Sequence, residues 1–151
     1  MDIITSLLDG LDKIGELVPP LDQVLGDMSL WVSIFLLIGP LMLLGLGIWY
    51  LLAPPKEANR KAGFRTYFGM GSVEAWQFTQ RIAGMVWGGL GILLTVIMGI
   101  ICLTLQNKDG FQMAQTAVNC LIWQVVLAAV AYLGICITAT IFFDKDGNRR
   151  K

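Results

Sequence analysis

Residues 28–53, 82–105 and 118–143 contain no Asp, Glu, Lys or Arg, and each run holds at least 24 residues. About 20 helical residues cross the hydrocarbon core of a bilayer. A helix of a soluble core would be shorter and would carry a polar stripe. The pattern therefore predicts an all-α membrane protein with three transmembrane helices. Ahead of them, Ile3, Ile4, Leu7, Leu8, Leu11, Ile14, Leu17 and Val18 recur at helical spacing, with Asp2, Asp9, Asp12, Lys13 and Glu16 opposite. This predicts an N-terminal amphipathic helix within residues 1–20, ended by Pro19-Pro20. Such helices lie on membrane surfaces, usually with a basic polar face. Here the face is acidic, so the stripe either rests on the membrane or the outer mouths of the spans, or docks a partner.

Composition strengthens the membrane reading. Hydrophobic residues make up 56% of the 151-residue chain and charged ones 15%, against roughly 25% charged in ordinary soluble domains. The formal net charge of zero hides an asymmetry. Residues 1–27 hold six acids and one base, Lys13, whereas the connection 54–81 holds Lys56, Arg60, Lys61, Arg65 and Arg81 against Glu57 and Glu74. The connection 106–117 carries Lys108 and Asp109, and the tail 144–151 ends in Arg149, Arg150 and Lys151. Nine of the eleven basic residues thus fall on one side of three spans. Lys and Arg stay preferentially in the cytoplasm. The expected topology is a multi-pass membrane protein with its N-terminus outside and its tail in the cytoplasm. The leader lacks the basic segment and early apolar core of a signal peptide, so span one is expected to insert as a reverse anchor.

Within the spans, Pro40 lies between Gly39 and Gly45, and Trp49-Tyr50 mark the inner end of span one as interfacial aromatics. Span two carries Gly84 and Gly88, a small-xxx-small pair for close helix approach within the chain or between copies. Gln124, the strongly polar side chain deep in span three, is expected to face another helix. Cys102 and Cys120 lie at similar depth, as a disulfide or as packing residues. With no His and scattered Cys, no haem, metal or other cofactor is expected. No nucleophile with a base, and no carboxylate cluster at a membrane face, marks catalytic residues.

The most informative segment is the first connection, Asn59 to Arg81. Gly63, Gly69 and Gly71 permit turns, Ser72 suits a helix N-cap, and Glu74 suits the positive end of the helix that follows. Trp76, Gln80, Ala83 or Gly84, and Trp87 share one helical face, so span two is expected to start early, at the interface. Arg65 has the planar donors to pair with Glu74 or a lipid phosphate. On residues alone, the segment also reads as a basic juxtamembrane stretch with aromatic anchors.

The spacing Asn59-x3-Gly63-Phe64-Arg65-Thr66, then Ser72, Trp76 and a polar Gln80 before a glycine-containing span, resembles the signature of the SdpI family. The resemblance covers Trp49 to Leu105 well and span three loosely; the acidic N-terminal helix lies outside it. The family is one of bacterial membrane immunity proteins. Its founding member, from Gram-positive bacteria, protects the cell from its own secreted peptide toxin and sequesters a transcriptional repressor at the membrane. That member has an additional N-terminal membrane region; this chain is a short, three-span relative. The resemblance implies a non-enzymatic protein resisting a membrane-active peptide toxin or signalling its presence. Its motif residues would be Asn59, Gly63, Phe64, Arg65, Thr66, Ser72, Glu74, Trp76 and Gln80. Expected partners are membrane lipid, a peptide toxin or membrane protein, and a second copy of the chain, without direct nucleic-acid binding. The alternative is a structural or assembly subunit of a larger membrane complex, bound through the glycine face of span two.

Overall fold

A computed structural model describes residues 21–56, 58 and 62–150. The amphipathic helix expected within residues 1–20, and Asn59, lie outside the described residues. Three helices account for most of the described residues: α1 (Leu21–Leu52), α2 (Val73–Leu105) and α3 (Gly110–Phe142). All three are long and apolar enough to cross a membrane, and the protein is a multi-pass, all-α membrane protein.

The helices outrun the charge-free stretches because capping residues start them in polar sequence. Ser72 takes extended backbone angles and its hydroxyl accepts from Ala75 N at 3.1 Å. α2 therefore begins nine residues before the apolar stretch at Ile82. Asp109 does the same for α3, its Oδ1 accepting from Gln112 N at 2.8 Å. Helix rather than loop thus covers residues 110–117, and the turn between α2 and α3 is only Gln106–Asp109. Each cap satisfies an N–H that the first helical turn leaves without a partner.

α1 and α2 form the principal packed pair, and α3 lies against both. The α1–α2 seam is antiparallel and closely approached. A Cβ on Gly91 would meet Leu44 N at 2.5 Å, one on Gly84 would meet Leu51 Cγ at 2.8 Å, and one on Gly47 would strike the backbone of Gly88. Small residues allow such approach where lipid removes the hydrophobic drive between helices. The Gly84–Gly88–Gly91 face is therefore covered by α1 and is not presented to a partner.

Near one end of the bundle, Leu36, Met98, Leu105, Met113 and Cys120 form a buried cluster. Near the other, Tyr50, Phe64, Ala83, Trp87 and Ile135 form a second. Tyr50 is thus a core residue, while its neighbour Trp49 is exposed as an interfacial aromatic would be. The three cysteines are free thiols, and Cys120 packs in the first cluster.

A buried amide joins α3 to α1. Gln124 Nε2 donates to the Leu36 carbonyl at 3.0 Å. In an unbroken helix that carbonyl would receive the N–H of residue 40, and Pro40 has none. A residue of α3 thus completes the hydrogen bonding of α1. Gly39 leaves the space, since a Cβ there would lie 2.6 Å from Gln124 Oε1. Gln124→Leu is expected to cost about 1 kcal/mol, in the range of interhelical hydrogen bonds in membranes. Pro40→Ala restores the N–H, so the Gln124→Leu penalty should shrink in that background. Steric-trap unfolding of the four proteins checks this; an undiminished penalty in the Pro40→Ala background would refute it.

Candidate functional site

Residues 62–72 fold back over the end of the bundle where α1 finishes and α2 starts. Residues 64–67 alternate in burial: Phe64 and Thr66 turn inward, Arg65 and Tyr67 outward. Phe64 is 7% exposed. Its ring meets Trp87 of α2 at a centroid distance of 6.1 Å and Tyr132 of α3 at 5.2 Å. A side chain from a loop therefore reaches into the apolar stretch of α2 and plugs the gap between the helices.

That insertion carries irregular backbone with it. Non-helical backbone near membrane depth is tolerated only inside protein and with its polar groups satisfied. Gln80, fully buried, supplies both partners: its Oε1 accepts from Phe64 N at 2.8 Å and its Nε2 donates to Phe64 O at 2.7 Å. A primary amide is the side chain that presents donor and acceptor side by side. The polar residue of the motif is thus the clamp of its aromatic residue.

Gly63, just ahead of the clamp, has φ +109°, which disfavours L side chains, and a Cβ there would lie 2.5 Å from Trp76 Cζ2. Trp76 is fully buried, and its indole N–H donates to the Pro55 carbonyl at 2.7 Å, tying the exit from α1 to the first turn of α2. Thr66 starts the 3₁₀ turn Phe68–Met70. Its hydroxyl accepts from Gly69 N at 2.9 Å and its carbonyl from Met70 N at 3.2 Å. Thr79, beneath Gly69, donates its own hydroxyl to Ala75 O at 2.8 Å.

Ser72 has a second role besides capping. Its hydroxyl donates to the Gly147 carbonyl at 2.7 Å. The basic tail is accordingly a folded turn, with Phe143 bridging Arg149, Asp144 N donating to Asn148 O at 2.9 Å, and Asp144 Oδ1 accepting from the amides of Asn148 and Asp146. Those amides, Asn148 first, hold the Asp144 carboxyl below the usual carboxylate range. Asp-x-Asp-Gly is a turn sequence, and it was the available signal for this element.

Gly147 has φ +77°, and a Cβ would strike the backbone at Gly71 and Ser72. Gly147→Val is therefore expected to detach the turn from the bundle, at about 1–3 kcal/mol for the strained backbone. Trypsin in mild detergent should then cleave after Lys145 faster than in the unmodified protein, with helix content unchanged. Equal cleavage rates would show that the contact does not hold the turn.

Of the motif residues, Gly63, Phe64, Thr66, Ser72, Trp76 and Gln80 converge on one structural cap. Arg65 is on its outer surface beside Tyr67, which is 76% exposed. Glu74 is also exposed, and lines a groove beside the end of α1 and the C-terminal turn. Among the described residues no His, Cys, Asp or Glu cluster suited to a metal is present.

The SdpI/YfhL protein family matches this chain over residues 56–141, more than half of its length. The chain belongs to the SdpI/YfhL family. The family match starts at Lys56 and runs to Ile141, so it includes the cap, α2 and nearly all of α3, and leaves α1 outside. No curated protein and no solved structure matches the chain.

Proposed function

We propose that this protein is a non-enzymatic immunity protein of the bacterial cytoplasmic membrane, giving resistance to a membrane-active peptide toxin or signalling its presence by binding. Membership of an immunity-protein family carries the reading, because the match spans the cap, α2 and nearly all of α3. In this reading the capped end faces the cytoplasm, which agrees with the nine basic residues in the connection 54–81 and the tail. Six motif residues build the cap, and Arg65 with Tyr67 forms the surface that a cytoplasmic partner would meet. Gly63, Trp76 and Gln80 then serve function indirectly, by fixing where Arg65 points.

Expression in a peptide-sensitive host tests this. Killing by membrane-active peptides, including any encoded beside this gene, should fall when the chain is made. Arg65→Ala should insert at the normal level and lose most of the protection, whereas Lys145→Ala should keep it. Unchanged killing across the panel would overturn the proposal, and equal effects of the two variants would reduce Arg65 to a topology-setting charge.

A further inference from the structure

Next to the cap, the end of α1, the first turns of α2 and the C-terminal turn enclose an open groove of about 520 Å³. Three cations line it: Lys56 from the segment after α1, Arg81 from α2 and Arg149 from the C-terminal turn. Among the described residues that line it, Glu74 is the single acid, leaving them an excess of two positive charges. The rest of the lining is apolar and aromatic, with Tyr50, Phe78 and Phe143 prominent. Phe78 stacks obliquely on Phe142 and Phe143 at 5.2 and 5.3 Å, which fixes this wall to α3.

The placement of these charges matters as much as their number. Arg81 is the last charged residue before the charge-free stretch of α2, and Lys56 follows Pro54-Pro55 at the end of α1. Arg149 follows closely on the end of α3. The three cations thus come from three separate parts of the chain and meet where apolar sequence gives way to polar. In a bilayer that level is occupied by phosphate headgroups. Arginine presents a planar set of donors matched to phosphate oxygens, and the aromatic wall continues toward the acyl region. Glu74 adds an acceptor for a headgroup hydroxyl.

We propose that this groove binds the phosphodiester headgroup of an anionic, hydroxyl-bearing phospholipid from the surrounding leaflet. The site stands independently of the toxin reading, since it requires only the membrane and the groove. A lipid held there would bridge α1, α2 and the C-terminal turn.

The test is lipid retention by the full chain, purified from mixed bilayers of phosphatidylglycerol and phosphatidylcholine and examined by native mass spectrometry. Phosphatidylglycerol should be retained preferentially. A cation near an anionic lipid surface contributes about fivefold in affinity. Arg81→Gln with Arg149→Gln should therefore reduce the preference by about 25-fold at most, on the same per-charge value. Arg81→Lys with Arg149→Lys should restore much of it, and Lys108→Gln, at the opposite end of the bundle, should leave it unchanged. Circular dichroism confirms that the variants remain helical. Equal retention of the two lipids by the unmodified chain overturns the proposal, as does an unchanged preference in the double Gln variant. Thermal stabilisation by inorganic phosphate in pure phosphatidylcholine, equal to that from phosphatidylglycerol, would identify a phosphate site rather than a lipid site and also overturn it.

Discussion

Gln80→Leu is expected to destabilise the protein by about 2–6 kcal/mol, because it strands two buried backbone groups at about 1–3 kcal/mol each. The two groups are the N–H and C=O of Phe64, which Gln80 satisfies at 2.8 and 2.7 Å. Leucine matches the amide in size, so the loss would come from unmet hydrogen bonds rather than from a cavity. Water cannot easily substitute where Phe64 is held between Trp87 and Tyr132. Gln80→Glu keeps an acceptor and, while its carboxyl is protonated, an O–H donor, losing the donor only on ionisation; in the neutral form it should fall between Leu and the native residue. Unfolding in mixed detergent, followed by tryptophan fluorescence, measures the effect. A Gln80→Leu penalty under about 0.5 kcal/mol, the size of an ordinary surface substitution, would show that the clamp is dispensable.

The second large effect is expected on the α1–α2 seam. Gly47→Leu places a side chain where the backbone of Gly88 now lies, with the Gly84 carbonyl 3.0 Å from the new Cβ. Backbone cannot rotate away as a flexible side chain can, so the helices must separate. Overpacking of this kind typically costs 1–3 kcal/mol and occasionally more, and the backbone contact argues for about 3 kcal/mol here. Gly45→Leu is the internal control, because nothing lies within 4 Å of a Cβ at Gly45. Steric-trap unfolding should separate the two variants clearly. Equal stability would mean that the seam opens at little cost.

The sequence was most legible where one signal sufficed. Charge-free runs of bilayer length located the three helices, and Ser72 and Glu74 marked the true start of α2. The glycines at 84 and 88 indicated a close seam, but not that Gly47, in α1, is its partner. Helical spacing reveals a small face without saying what covers it. Gln124 was readable as a polar group needing another helix; its acceptor, a carbonyl freed by Pro40, follows only once the two helices are placed in register. The motif showed the same division. Its residues were visible as a spaced set, but whether Gln80 faces a ligand, a lipid or the chain's own backbone depends on a loop folding back across sixteen residues. The Ser72–Gly147 bond spans 75 residues and had no local signature beyond the turn sequence itself.

Family membership sharpens this picture. The matched region begins after α1, yet the glycine face of α2 within it packs against α1 at Leu44, Gly47 and Leu51. The matched helices therefore depend on a neighbour outside the match.

The Leu36 carbonyl also bears on biogenesis. When α1 and α2 have entered the bilayer and α3 has not, the backbone gap created by Pro40 has no donor from Gln124. A two-helix intermediate would therefore carry a carbonyl without its partner, and insertion of the last helix would supply the donor. A chain halted before α3 should be held longer by the insertion machinery or removed by membrane proteases. A chain with Pro40→Ala should mature without that delay. The hydrogen bonding of α1 is thus complete only once Gln124 of α3 is in place.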